Sequence, residues 1–168
     1  MGQAHPSGGA TGAANHTLGE HLIRYRNLSG ETGPLSSVLC LGALPFGTTV
    51  DETISFAILD RFVEAGGTFI DTANNYSFWI DGATGDESEA LLGRWFAARR
   101  NRDRILLASK VGARPERPGL GLEAAEGLSA KAIRAGIDGS LRRLGARERR
   151  SNAAASAAQR VAGSPPAR

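Results

Sequence analysis

Asp71, Tyr76 and Lys110 are the residues of this chain whose types and spacing could do chemistry. Asp71 ends the short β-prone run Thr68-Phe69-Ile70, entered through Gly66 and Gly67, and Tyr76 follows five positions later in the stretch GGTFIDTANNY. Lys110 ends a second run, Arg104-Ile105-Leu106-Leu107-Ala108-Ser109. Loops that follow parallel strands turn such terminal side chains toward one mouth. Free tyrosine, with a pKa near ~10, is a weak acid, and a neighbouring ammonium eases its proton release by favouring the phenolate. An aspartate beside the pair would hold the lysine in place. Together the three could protonate a carbonyl oxygen while a cofactor delivers hydride to its carbon. Each also has a plain structural use: the aspartate as a turn cap, the tyrosine as a loop aromatic, the lysine as a strand-end charge in solvent.

The elements that must position these residues can be drawn from periodicity and punctuation. Tyr25 to Ser37 carries Ser-Gly and Thr-Gly-Pro turn signals and predicts a small hairpin. Val38 to Leu41 predicts a first buried strand, running into Gly42-Ala43-Leu44 and a loop, Pro45 to Thr49, that could bring backbone close to a ligand. Asp51 is placed to cap a helix with Ile54, Ala57, Ile58, Phe62 and Ala65 at helical spacing and Gly66 at its end. After the second strand, Thr68 to Ile70, Asp86-Glu87-Ser88-Glu89 opens a helix with Leu91, Leu92, Trp95 and Phe96 near one face. The third strand, Arg104 to Ser109, is followed by a Gly/Pro-rich loop from Gly112 to Gly127. Ser129 then caps a helix marked by Ile133, Ile137, Leu141 and Leu144 and closed by Gly145. Strand and helix alternate three times, which predicts a parallel sheet with right-handed crossovers. Phe78 and Trp79, in the loop after Tyr76, suit a substrate pocket or the packing of that loop equally well.

Composition limits the rest. At 168 residues the chain holds one ordinary domain, and 22 glycines, nearly double the usual share, predict unstructured stretches beside the core. Residues 1–24 have few large apolar side chains and predict a disordered leader. All three histidines, His5, His16 and His21, fall there with no metal-ligand spacing, so no metal site is expected. The net charge of +3 comes from arginines spread along the chain and thickening toward its end. Residues 146–168, rich in Arg, Ala, Ser and Pro, predict a solvated basic tail from which no fourth strand can be drawn. The tail has no aromatic residues to stack on bases, so no nucleic-acid partner is expected. The single cysteine, Cys40, admits no internal disulfide and suits a reducing compartment, the cytoplasm. No apolar run is long enough to span a bilayer.

FIDTANNY, GDESEALLG and LLASKV, in that order behind a hairpin and a strand running into Gly42, resemble the aldo-keto reductases from about Tyr25 to Gly145. The resemblance implies a (β/α)8 TIM barrel, NADPH or NADP as cofactor, and reversible reduction of small-molecule aldehydes or ketones to alcohols. It implies Tyr76 as general acid, Lys110 as the group that lowers its pKa, and Asp71 as the lysine's partner and a neighbour of the nicotinamide ribose. Gly42, Ala43 and Leu44 fall at the nicotinamide; Ala43 and Leu44 depart from the family's residue types, which leaves backbone contacts. The family's catalytic histidine at the end of the fourth strand has no counterpart, since no histidine follows His21. The expectation is therefore an incomplete α/β fold: a β-hairpin and three β/α units over residues 25–145, truncated before the fourth strand. The tail is expected to be out of frame and the chain to have no turnover of its own, with apolar faces exposed to aggregation. The alternative is a non-catalytic fragment or a partner-dependent interaction protein.

Overall fold

The computed structural model describes residues 23–28, 30–117, 120–146 and 153–157. The leader up to residue 22, with its three histidines, and most of the tail lie outside them. Two short antiparallel strands, β1 (Tyr25–Asn27) and β2 (Leu35–Ser37), form the expected hairpin, with Tyr25 opposite Ser37. Tyr25 Oη donates to the Gly66 carbonyl at 2.5 Å, and Ser37 and Thr68 exchange two backbone-to-hydroxyl bonds of 2.9 and 3.0 Å. The hairpin is thereby fastened to the residues that lead into the strand Phe69–Asp71.

The remaining strands, β3 (Cys40–Gly42), β4 (Phe69–Asp71), β5 (Leu106–Val111) and β6 (Ala153–Ala157), form one parallel sheet in sequential order. Helices α1 (Glu52–Glu64), α2 (Glu87–Arg99) and α3 (Ala130–Arg143) make the three crossovers. Strand residues alternate between two faces. Leu41, Ile70 and Leu107 share a register and join Leu59, Leu91, Leu92, Trp95, Phe96 and Leu144 in one core under the helices. Each fully buried large side chain contributes about 1.5–3 kcal/mol. Gly42, Asp71 and Ala108 are aligned across the opposite face, with Lys110 two residues beyond Ala108. Among the described residues no helix is long and apolar enough to cross a membrane.

Several expectations are corrected. Val38 to Leu41 does not form a buried strand: β3 begins at Cys40, and Leu39 is 57% exposed. The reason is position, since β3 is an edge strand and Val38 N–H bonds Arg24 rather than β4. On α1 the buried stripe is Ser55 and Leu59, with Phe62 and Val63 packed beside them, while Ile54 and Ile58 stay exposed. That helix carries apolar residues on two faces, and periodicity cannot say which one meets the sheet. Lys110 lies inside β5, not after it. A fourth strand does exist: Ala153 to Ala157 runs parallel to β5, with Leu107 paired to Ala153 and Lys110 to Ser156. A ladder is made by backbone groups, and this segment has no proline or charge to block it; what it lacks is the side-chain bulk that a periodicity reading detects.

The caps at Asp51 and Ser129 are as expected, accepting from Ile54 N–H at 2.9 Å and Ala132 N–H at 3.1 Å. Asp86 makes no capping bond; the Glu87 carboxylate at the start of α2 ties down the preceding turn, accepting from the Thr84 and Gly85 backbone N–H groups at 2.7 and 2.9 Å. On α3 the fully buried positions are Gly136, Gly139 and Ser140, not the isoleucines. Small residues let this helix approach closely: Gly93 of α2 faces the Arg143 carbonyl with no room for a Cβ. Gly93→Ala will therefore force the helices apart and cost roughly 1–3 kcal/mol, read as a lower urea midpoint at unchanged slope. An unchanged midpoint would mean that α2 and α3 do not make this contact.

Candidate active site

Asp71, Tyr76 and Lys110 converge at the C-terminal end of β4 and β5. Lys110 Nζ donates to both Asp71 carboxylate oxygens at 2.7 Å and to the Thr72 carbonyl at 2.8 Å. Tyr76 Oη donates to Asp71 Oδ2 at 2.6 Å. The lysine ammonium also sits 4.6 Å from the centre of the tyrosine ring, a cation–π contact. The Lys110 and Asp71 side chains are 29% and 33% exposed, so the pair is open to a ligand on one side. Register explains the meeting: Asp71 is level with Ala108, and Lys110 lies one pleat further on the same face.

The electrostatics differ from the sequence expectation. The aspartate, not the lysine, bonds the phenol hydroxyl, while the lysine lies over the ring. Burial first, then the bond to Asp71 and that carboxylate's charge, push the Tyr76 phenol well above its usual range. Cys40, on the neighbouring strand, is pushed up to about 11, by partial desolvation and by Asp71, with Lys110 acting in the opposite direction. The resting phenol is thus firmly protonated at neutral pH, as a proton donor requires.

The segment after β3 divides. Gly42 is exposed, and a Cβ on it would meet nothing within 4 Å, so the surface beside Asp71 is open. Leu44 is 40% exposed. Ala43 is fully buried: its N–H donates to the Asp71 carbonyl at 2.8 Å, and its own carbonyl accepts from Ser88 Oγ at 2.7 Å and Phe46 N–H at 3.2 Å. Ala43 therefore has no backbone group left for a ligand, contrary to the expectation from sequence. Among the described residues no group of three His, Cys, Asp or Glu side chains is placed to hold a metal ion.

Sequence reasoning missed the layer behind these residues. Thr72 Oγ1 lies 2.8 Å from Ser88 Oγ. Glu89, with no exposed surface, accepts from Ser109 Oγ at 2.5 Å and from Arg143 Nε and Nη2 at 2.8 and 2.7 Å. Arg143 and Arg114 both reach Asp86. The loop after β5 is tied to the Tyr76 loop by Asn74 Nδ2, which donates to Glu126 Oε1 at 2.8 Å, and Asn75 Nδ2, which donates to the Ala113 carbonyl at 3.2 Å. One signal in the sequence did point at Glu89: it stands three and seven positions before Leu92 and Phe96, on the apolar stripe of α2. Trp79 is 59% exposed and meets Phe78 edge to face at 5.2 Å.

The sequence model of the Aldo/keto reductase family matches residues 38–149. Norsolorinic acid reductase B of Aspergillus parasiticus is 41% identical over 132 residues, which cover 73% of this chain and 33% of that protein. The crystal structure of PA4992, an aldo-keto reductase of Pseudomonas aeruginosa, superposes with a TM-score of 0.57 at 31% identity, over 72% of this chain and 42% of that one. An aldo-keto reductase of Klebsiella pneumoniae, solved in complex with NADPH, superposes with a TM-score of 0.50 at 25% identity, over 66% of this chain and 32% of that one. The chain thus spans about a third of the length of the reductase from Aspergillus. With the family's sequence model matched over most of its described residues, the chain belongs to the aldo/keto reductase family.

Proposed function

We propose that this chain carries the proton-donating side of an NADP(H)-dependent carbonyl reduction, the reversible interconversion of small aldehydes or ketones and alcohols. The observation that supports it best is the direct hydrogen bonding of Tyr76 and Lys110 to one carboxylate, Asp71, on an open face. The relatives fit this reading, one being named a reductase and one holding NADPH.

The residues present suit the nicotinamide end of such a cofactor. Gly42 leaves open surface beside Asp71, and Asp71 Oδ1, which accepts only from Lys110, has a lone pair to spare, whereas Oδ2 already accepts from both Tyr76 and Lys110. Gly42, Leu44 and Asp71 would hold that end, and the cofactor when bound supplies the hydride. Tyr76 supplies the proton: its Oη exchanges the bond to Asp71 for one to the carbonyl oxygen and passes the proton to it. Lys110, bonded to both oxygens of Asp71, balances the carboxylate, so the departing proton does not leave phenolate and carboxylate facing each other unopposed. A reducing compartment such as the cytoplasm suits the single cysteine.

The chain by itself is expected to show no NADPH consumption with 4-nitrobenzaldehyde, because it spans about a third of the length of the reductase it resembles and a hydride donor must be oriented as well as bound. Residues 38–146 grafted in place of the matching segment of the Pseudomonas aeruginosa relative should restore a complete catalytic unit with turnover. A folded, NADPH-binding chimera without reduction would overturn the reading.

A further inference from the structure

We propose that Ser77 is a positioning residue that locks Tyr76 to the segment following β3. Among the described residues two that are not glycine have positive φ, Ser77 at 65° and Arg100 at 51°. Arg100 ends α2, where left-handed backbone is common. Ser77 ends no helix, follows Tyr76 directly and is 1% exposed. A side-chain-bearing residue persists in this region only where its surroundings hold it there, and such residues gather at functional sites.

The hold is visible. Ser77 Oγ donates to the Leu44 carbonyl at 2.9 Å, and Thr48 Oγ1 reaches Ser77 Oγ at 3.2 Å. The Ser77 carbonyl accepts from Ile80 N–H at 2.9 Å, so the turn that follows is set from the same residue. On the other side of Leu44, Ala43 N–H is bonded to the Asp71 carbonyl. Residues 43–44 are therefore stitched at one end to Asp71, whose carboxylate accepts the Tyr76 hydrogen bond, and at the other to the residue after Tyr76. The phenol and the backbone of Tyr76 are fixed by the same short segment, so a ligand on Gly42 and Leu44 meets a tyrosine already aimed. The functional consequence rests on Tyr76 as proton donor; the positioning itself does not.

The test reads the phenol directly. The chain has two tyrosines, so Tyr25→Phe leaves Tyr76 as the single titrating phenol, faced by Asp71, Lys110 and Cys40, and ultraviolet absorbance follows its ionisation. In this background Tyr76 should titrate above the free value of about 10. Ser77→Ala, which keeps the left-handed demand without the bond, and Ser77→Gly, which removes both, should each bring the titration down toward about 10, with the far-ultraviolet circular dichroism unchanged. Thr48→Val should shift it in the same direction by less. Glycine adopts this backbone without strain, so if Ser77→Ala does not fold, Ser77→Gly decides. An unshifted titration in Ser77→Gly overturns the proposal. Because no turnover is needed, an unshifted titration beside an inactive Tyr76→Phe chimera sinks Ser77 alone, and a fully active Tyr76→Phe chimera sinks the proton-donor reading alone.

Discussion

Tyr76→Phe will lower aldehyde reduction by the grafted chimera by about 10²–10⁴-fold, the range a positioned general acid supplies. The change removes one oxygen and leaves the ring, so Lys110 keeps the aromatic face it lies over and both Asp71 oxygens. Fold and NADPH affinity should persist, and the loss should fall on kcat. The sign of the pH dependence follows from the geometry. The Tyr76 phenol is raised by burial and by Asp71, so its acid form survives into alkaline solution. The alkaline limb of reduction should then lie above about 10, the value for free tyrosine, and not below it. Asp71→Asn removes the carboxylate charge and should move that limb down. Stopped-flow measurement of NADPH oxidation against pH decides both points, and a limb below neutrality would mean that Lys110 and not Asp71 governs the phenol.

Glu89→Ala will destabilise the described fold by about 3–5 kcal/mol, the cost of leaving one member of a buried ion pair without its partner. Glu89 has no exposed surface, and the Arg143 side chain is 19% exposed. Removing the carboxylate strands Ser109 Oγ on β5 and two donors of Arg143 on α3, so three elements lose a shared acceptor. Asp86 still accepts from Arg143 Nη1 at 3.0 Å, which places the loss near the lower end of that range. Glu89→Gln keeps the shape and one acceptor and should cost less than Glu89→Ala. Urea denaturation of both variants gives the comparison, and equal midpoints for Glu89→Ala and the parent chain would show that the pair contributes nothing to stability.

The site was legible where chemistry follows from chain order. Asp71 and Lys110 close strand-like runs, and Tyr76 falls in the loop between, so their residue types and order point to one mouth. The helices with capping residues, Asp51 and Ser129, were equally plain. Legibility failed where burial depends on a neighbour from elsewhere in the chain. Val38 and Leu39 have the composition of a buried strand, but β3 is an edge strand and they lie exposed. Ile133 and Ile137 mark the obvious stripe of α3, but the buried positions are Gly136, Gly139 and Ser140, and Gly136 lies directly against Val111 of β5, with no room for a larger side chain. Asp86 looks like a cap, but its carboxylate is taken by Arg114 and Arg143, 28 and 57 residues away in sequence.

By itself the sequence determined the alternation of strands and helices, the parallel sense of the sheet and the three residues that meet at the strand ends, because each rests on local periodicity, local capping or residue type. Only the tertiary structure decided which of the other two bonds the phenol hydroxyl. Hydrogen bonding depends on distances of a few tenths of an ångström between side chains 5 and 39 positions apart. Those distances come from strand register, which sets Asp71 level with Ala108 and brings Lys110 and Tyr76 onto the same carboxylate.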